Sequence, residues 1–77
     1  MPRIYVDFNS MMRDPQERVE LGQAGTWQGD RLPALYIGER VMLFNDEMEV
    51  MGTVAYDQKH LLWLAIPDWS TRCDFAA

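Results

Sequence analysis

Apolar and polar side chains alternate every two residues through the middle of the chain, between Arg40 and Pro67. This period is typical of β-strands that bury one face. The pattern predicts three consecutive strands, Arg40–Asn45, Met48–Asp57 and His60–Pro67, joined by turns at Asp46-Glu47 and Gln58-Lys59. An antiparallel meander is therefore the expected centre of the fold.

Shorter patterned segments flank this meander. Residues 3–9 alternate with Ile4, Val6 and Phe8 on one face, which predicts an opening strand. Residues 17–21 predict a second strand at an edge, and a helical turn over residues 14–20, with Asp14 as its cap, is the alternative. Residues 22–33 hold three glycines and a proline, which predicts a long loop pinned by burial of Trp27. Pro67 is expected to end the third meander strand, because proline has no N–H for the ladder. Residues 71–75 are expected to form a last short strand with Cys73 and Phe75 inward.

These elements predict an all-β protein with a single domain over residues 1–77. Five or six short strands are too few for a large two-layer sandwich, and a sheet curled into a barrel removes its open edges. The predicted fold is a small, strongly curved, five- to six-stranded antiparallel barrel with room for one short helical or 3₁₀ turn.

The order of a strand, a long loop, a three-stranded meander, a short turn and a last strand resembles SH3-like barrels. The segment A-L-Y at residues 34–36 is similar to the start of SH3 domains. The segments I-Y-V-D-F-N, G-E-R-V, E-V-M-G-T-V and P-D-W also resemble small uncharacterised bacterial proteins. Both resemblances imply a fold, and neither implies an activity or a peptide-binding site.

The net charge of −5 disfavours binding to nucleic acid, since the seven basic residues are scattered along the chain. Cys73 is the only cysteine and His60 the only histidine, so an internal disulfide and a four-ligand zinc site are excluded. No cofactor is expected. The start of the chain has no signal-peptide pattern and no segment is long enough to span a membrane, so a cytoplasmic protein is predicted.

Residues that could support catalysis are few. His60 lies beside Asp57 in the second predicted turn, where the pair could act as a general base but is more simply a solvated turn. Cys73 is interpreted as a buried, unreactive thiol. The acidic residues at 46–49 match no calcium-loop spacing, and the sequence contains no phosphate-binding glycine loop. The prediction is therefore that the protein is not an enzyme.

The second face of the meander is unusually apolar. If Val41, Leu43, Val50, Val54, Tyr56, Leu62, Leu64 and Ile66 fill the barrel, the opposite face carries Met42, Phe44, Met51, Ala55, Leu61, Trp63 and Ala65. A solvated sheet face is normally polar. Two explanations stay open: the loop at residues 22–33 covers these side chains, or they form a contact surface for a partner.

The leading hypothesis is a protein-interaction module that self-associates as a homo-oligomer through Met42, Phe44, Met51, Leu61 and Trp63. A small domain gains stability from such association. The alternative is a barrel that binds single-stranded nucleic acid by stacking bases on Tyr36, Trp63 or Trp69. A small enzyme that uses His60 with Asp57 is the third hypothesis.

Overall fold

The structure of the protein, a computed structural model, describes residues 1–12, 14–22 and 35–75. The described elements are five strands and one 3₁₀ turn. They are β1 (Arg3–Tyr5), a 3₁₀ turn (Phe8–Ser10), β2 (Val19–Gly22), β3 (Arg40–Phe44), β4 (Met48–Asp57) and β5 (Leu62–Asp74). The all-β prediction is confirmed in this part of the chain. The predicted loop at 22–33, with Trp27, and the A-L-Y start at Ala34 lie outside the described residues.

The strands form one mixed sheet in the order β1-β3-β4-β5-β2. β1 runs parallel to β3, whereas the other neighbours are antiparallel. The prediction of an all-antiparallel sheet is therefore wrong. The sheet formed by the named strands is not closed into a barrel, because β1 and β2 are its two edges. The prediction of β2 as an edge strand is confirmed.

The segment after β1 crosses from one edge of the sheet to the other. Val6 N–H donates to the Phe44 carbonyl at 2.9 Å beside β3, and Met11 forms an isolated antiparallel bridge with Val19 of β2. The first strand is shorter than predicted, because Asp7 caps the 3₁₀ turn by accepting from Asn9 N–H at 2.9 Å. This crossing carries Val6 and Phe8 into the core.

The core lies on one side of the curved sheet. Its best-buried side chains are Val19, Val41, Leu43, Val50, Val54 and Ala65. Partly buried side chains, among them Met48, Trp63 and Trp69, pack against this cluster. The prediction that Val41, Leu43, Val50 and Val54 point inward is confirmed.

Pro67 does not end a strand. It pairs with Gly52 in the ladder between β4 and β5, and β5 continues through the predicted final strand to Asp74. The pairing of β5 with β4 is irregular further along the strand. Glu49 pairs with Cys73 and Met51 pairs with Asp68, so a short segment of β4 lies opposite a longer segment of β5. Cys73 and Phe75 are exposed, so the prediction that they point inward is wrong.

The turn between β4 and β5 is longer than predicted. Asp57 pairs with Leu62, which leaves four residues, 58–61, in the turn instead of two. The Asp57 carboxylate accepts from Lys59 N–H at 2.8 Å and from His60 N–H at 3.2 Å. Leu61 closes the turn in the left-handed region with φ of 54° and is 63% exposed. Leu61 therefore belongs to a turn and not to a sheet face.

Candidate functional site

Strand register decides which predicted contact residues share the outer side of the sheet, opposite the core. Directly paired residues project to the same side of a sheet. Met42 pairs with Arg3 on β1 and with Met51 on β4, and Phe44 pairs with Tyr5 and Glu49. Because Val41, Leu43 and Val50 occupy the core side, these pairs lie on the outer side. Met42, Phe44 and Met51 are therefore placed together.

Trp63 is not on that side. It pairs with Tyr56, and Ala65 pairs with Val54, which is 1% exposed in the core. The Trp63 and Tyr56 rings meet edge to face, with centroids 5.1 Å apart, and Trp63 packs against the core cluster. The prediction that Trp63 and Ala65 face outward is wrong. The prediction that Leu62, Leu64 and Ile66 point into the barrel is also wrong, because these residues lie on the outer side.

Leu64 lies on the outer side of the sheet but is fully buried. It pairs with Ala55 on β4 and Glu20 on β2, and it is fully buried although it is not part of the core cluster. Met42, Phe44 and Met51, by contrast, are only half-buried. Among the described strand residues of the outer side, Leu64 alone is fully buried, and the half of this side at β1 and β3 is partly accessible.

The accessible half forms an outer patch, which we define as Tyr5, Met42, Phe44 and Met51. Tyr5 is 40% exposed, and its ring meets Phe44 edge to face with centroids 5.5 Å apart. Sequence reasoning missed Tyr5 as a member. The alternation in residues 3–9 already placed Tyr5 opposite Ile4, but only the pairing of β1 with β3 brings it beside Phe44.

Charged side chains border the outer patch. The Arg3 guanidinium lies over the Phe44 ring, 4.6 Å from its centroid, and its Nη2 is 3.3 Å from Glu49 Oε2. Arg40 Nη2 lies 3.9 Å from Met51 Sδ. Asp68 pairs with Met51 in the ladder, and the pKa of its carboxyl is lowered mainly by the Ser70 hydroxyl, with a smaller effect from Arg40. These four described side chains, two cations and two anions, balance one another at the border.

A second polar cluster joins two turns. Arg18 Nε is 2.8 Å from Asp14 Oδ2, and Arg18 Nη2 is 3.6 Å from Asp57 Oδ2. His60 Nδ1 contacts the same Asp57 oxygen at 3.0 Å. The predicted His60–Asp57 contact therefore exists. The Asp57 carboxylate already accepts hydrogen bonds from turn amides and contacts a guanidinium and an imidazole. These contacts suit a group that connects two turns better than they suit a general base.

The pKa of Asp57 is lowered, chiefly by the hydrogen bond with the His60 side chain and further by the turn amides. The pKa of Asp14 is lowered, chiefly by the hydrogen bond with the Arg18 side chain. Contacts made in the folded chain thus favour the charged form of both carboxyls.

The three rings predicted to stack on bases differ in how exposed they are. Trp69 meets Phe8 at 6.1 Å between centroids and packs against the core. Trp63 is engaged with Tyr56. Tyr36 is 64% exposed in the turn before β3. Binding of single-stranded nucleic acid stays a prediction, and of its three rings Tyr36 is the accessible one.

Comparison of the chain with protein-family models, curated proteins and solved structures found no match. Within residues 1–12, 14–22 and 35–75, no helix is long and apolar enough to cross a membrane. In the same residues, no three or more His, Cys, Asp and Glu side chains gather in a group that could hold a metal ion.

Proposed function

We propose that the protein is a non-enzymatic interaction module that self-associates through the outer patch. The observation that carries the proposal is the placement of Tyr5, Met42, Phe44 and Met51 on adjacent ladder positions outside the core. Methionine and aromatic side chains are typical of contact surfaces, because they offer large apolar area and adapt to a partner.

The charged border supports a second copy as the partner. Arg3 is paired with Glu49, and Arg40 lies near Asp68, so these described side chains give the border of the patch no excess of charge. Two such patches can approach each other without the repulsion expected between chains of net charge −5. A two-fold dimer uses the same surface on both copies, which a balanced border permits.

The proposal is tested by sedimentation and light scattering over a wide range of protein concentration. The wild type is expected to associate as concentration rises. Met42→Asp should weaken this association strongly, because it puts a carboxylate in the middle of the patch. Ile37→Asp is the matched control, since Ile37 is 68% exposed in the turn before β3 and lies outside the patch. Equal association by the two variants, or a strictly monomeric wild type, would contradict the proposal.

A further inference from the structure

The two edges of the sheet differ in how the chain covers them. At the β2 edge, Met11 bridges Val19, and Met12 N–H donates to the Arg18 carbonyl at 2.8 Å. At the β1 edge, no described residue pairs with the outward side of Arg3–Tyr5. An uncovered edge offers a row of backbone donors and acceptors to another strand.

The hydrogen bonds to β3 show which backbone groups of β1 are turned outward. Met42 N–H donates to the Pro2 carbonyl at 2.8 Å, and Val6 N–H donates to the Phe44 carbonyl at 2.9 Å. Because Arg3 pairs with Met42 and Tyr5 pairs with Phe44, these two bonds show that every second residue of this segment bonds to β3. The N–H and C=O groups of Ile4 therefore point toward β3. The N–H and C=O groups of Arg3 and Tyr5 therefore point away from the sheet.

We propose that the β1 edges of two copies pair antiparallel about a two-fold axis at Ile4, which joins two sheets into one. In this register, Arg3 lies opposite Tyr5 of the second copy. Each of these pairs exchanges two N–H···O=C bonds, so all four outward donors and all four outward acceptors at Arg3 and Tyr5 find partners in one symmetric contact. The strand is self-complementary because its two outward residues lie symmetrically about Ile4.

The side chains of Arg3 and Tyr5 also favour a second copy of the chain as the partner of β1. Arg3 and Tyr5 both project from the outer side of the sheet, where Arg3 already lies over an aromatic ring of its own chain. Pairing sets this guanidinium beside Tyr5 of the second copy, which is a favourable cross-strand neighbour. Three of the usual protections of an edge are missing from β1: it contains no proline and no bulge, and its arginine is engaged with Glu49. Its short length of three residues is the protection that it keeps.

The other stretch of edge that no described residue covers is less suitable. β5 extends beyond the residues that pair with β2, but Pro67 lacks an amide and residues 69–72 lie in the irregular part of its pairing with β4.

The inference about β1 goes beyond the proposed function, because it concerns backbone groups at an edge and not the apolar side chains of the outer patch.

The test compares Tyr5→Pro with Tyr5→Ala in the full chain by sedimentation. Both variants lose the ring, but only proline removes the outward N–H, and it leaves the amides that bond to β3 unchanged. We expect the dimer dissociation constant of Tyr5→Pro to exceed that of Tyr5→Ala by at least about tenfold. Equal dissociation constants, or a monomeric wild type, would overturn the proposal.

Hydrogen exchange of the wild type provides a readout that does not depend on the folding of a variant. The amides of Arg3 and Tyr5 should exchange fast in dilute protein and slowly at concentrations where the dimer forms. The amides of Ile4 and Val6 should be protected at both, because they bond to β3. Exchange of Arg3 and Tyr5 that does not change with concentration overturns edge pairing.

The two proposals fail separately. Association that is lost in Met42→Asp but equal in the two Tyr5 variants supports the outer patch and rejects edge pairing. Association that is lost in Tyr5→Pro but retained in Met42→Asp supports edge pairing and rejects the outer patch as the self-association surface.

Discussion

Gly52 leaves room for Leu43 in the core. A β-carbon built on Gly52 would lie 2.8 Å from Leu43 Cδ1 and 3.4 Å from Ala65 Cβ. Leu43 and Ala65 are both fully buried, so neither can move away into solvent. The absence of a side chain at residue 52 thus leaves the space beside Ala65 that the Leu43 side chain occupies.

The first prediction is that Gly52→Ala lowers the free energy of unfolding by about 1–3 kcal/mol, the range for overpacked cores. Urea denaturation measures it. Leu43→Ala in the Gly52→Ala background should cost less than Leu43→Ala alone, because the smaller side chain relieves the clash. Strictly additive effects of the two substitutions would show that Gly52 and Leu43 do not compete for space.

The second prediction separates the two sides of the sheet. Trp63→Ala should lower the free energy of unfolding by about 2–3 kcal/mol, somewhat less than for a fully buried aromatic side chain, since Trp63 is half-buried against Tyr56 and the core. The measurement is urea denaturation followed by circular dichroism, at a concentration where the protein is monomeric.

Leu61→Asn is the matched control for Trp63→Ala. Leu61 is exposed and holds a left-handed backbone that asparagine adopts more readily, so its free energy of unfolding should change by no more than about 0.5 kcal/mol. A larger loss for Leu61→Asn than for Trp63→Ala would contradict the register described here.

The third prediction concerns acid. The pKa of Asp57 is lower in the folded chain than in the unfolded chain, where it is about 3.9. Unfolding at low pH therefore takes up a proton, so the stabilisation is complete above the unfolded pKa and is lost as pH falls through the folded pKa. Asp57→Asn should make the urea midpoint less dependent on pH below about pH 4.

Glu47→Gln serves as the control for Asp57→Asn, because Glu47 is an exposed carboxyl in the other hairpin turn. It removes the same charge from an exposed position and so controls for the change in net charge. If Asp57→Asn and the wild type lose stability in parallel between neutral and acid pH, the His60–Asp57 contact does not form in solution.

The fourth prediction concerns the turn between β3 and β4. Asn45 Oδ1 accepts from Glu47 N–H at 2.8 Å and from Met48 N–H at 2.9 Å. Asn45→Ala leaves both amides without this acceptor and should lower the free energy of unfolding by about 1 kcal/mol. Thermal or urea unfolding measures the loss.

Asp46→Ala is the neighbouring control for Asn45→Ala, since Asp46 is exposed in the same turn. Its effect should stay within about 0.5 kcal/mol. A larger effect for Asp46→Ala than for Asn45→Ala would mean that charge at the turn matters more than the side-chain hydrogen bonds.

Local pattern predicted much of this fold. The alternation around Val50 and Val54 placed β3 and β4 and their buried faces, because a strand with one covered face needs apolar side chains at every second position. The same rule placed Ile4 and Phe8 inward and Tyr5 outward, and it grouped Met42, Phe44 and Met51 on one side. These assignments depend only on residues within one strand or one hairpin.

Other features depended on contacts between distant segments. Apolar side chains occupy both parities of β5, so the pattern could not tell whether Trp63 or Leu64 faces the core. The pairing of β4 with β5 decides this, because it places Ala65 opposite Val54 and Trp63 opposite Tyr56. A turn with an even number of residues, two as predicted or four as observed, gives the same sides. Tertiary structure also decided that β1 runs parallel to β3 and that Pro67 stays within a strand.

By itself, the sequence determined that the described part of the chain is all-β, which side chains alternate, and that Met42, Phe44 and Met51 share a side. Only the tertiary structure decided that Tyr5 joins them, that Trp63 leaves them, and that no described residue pairs with the outward backbone groups of β1. The physical reason is that side-chain alternation is a property of one strand, whereas register, strand direction and edge exposure belong to pairs of segments far apart in sequence.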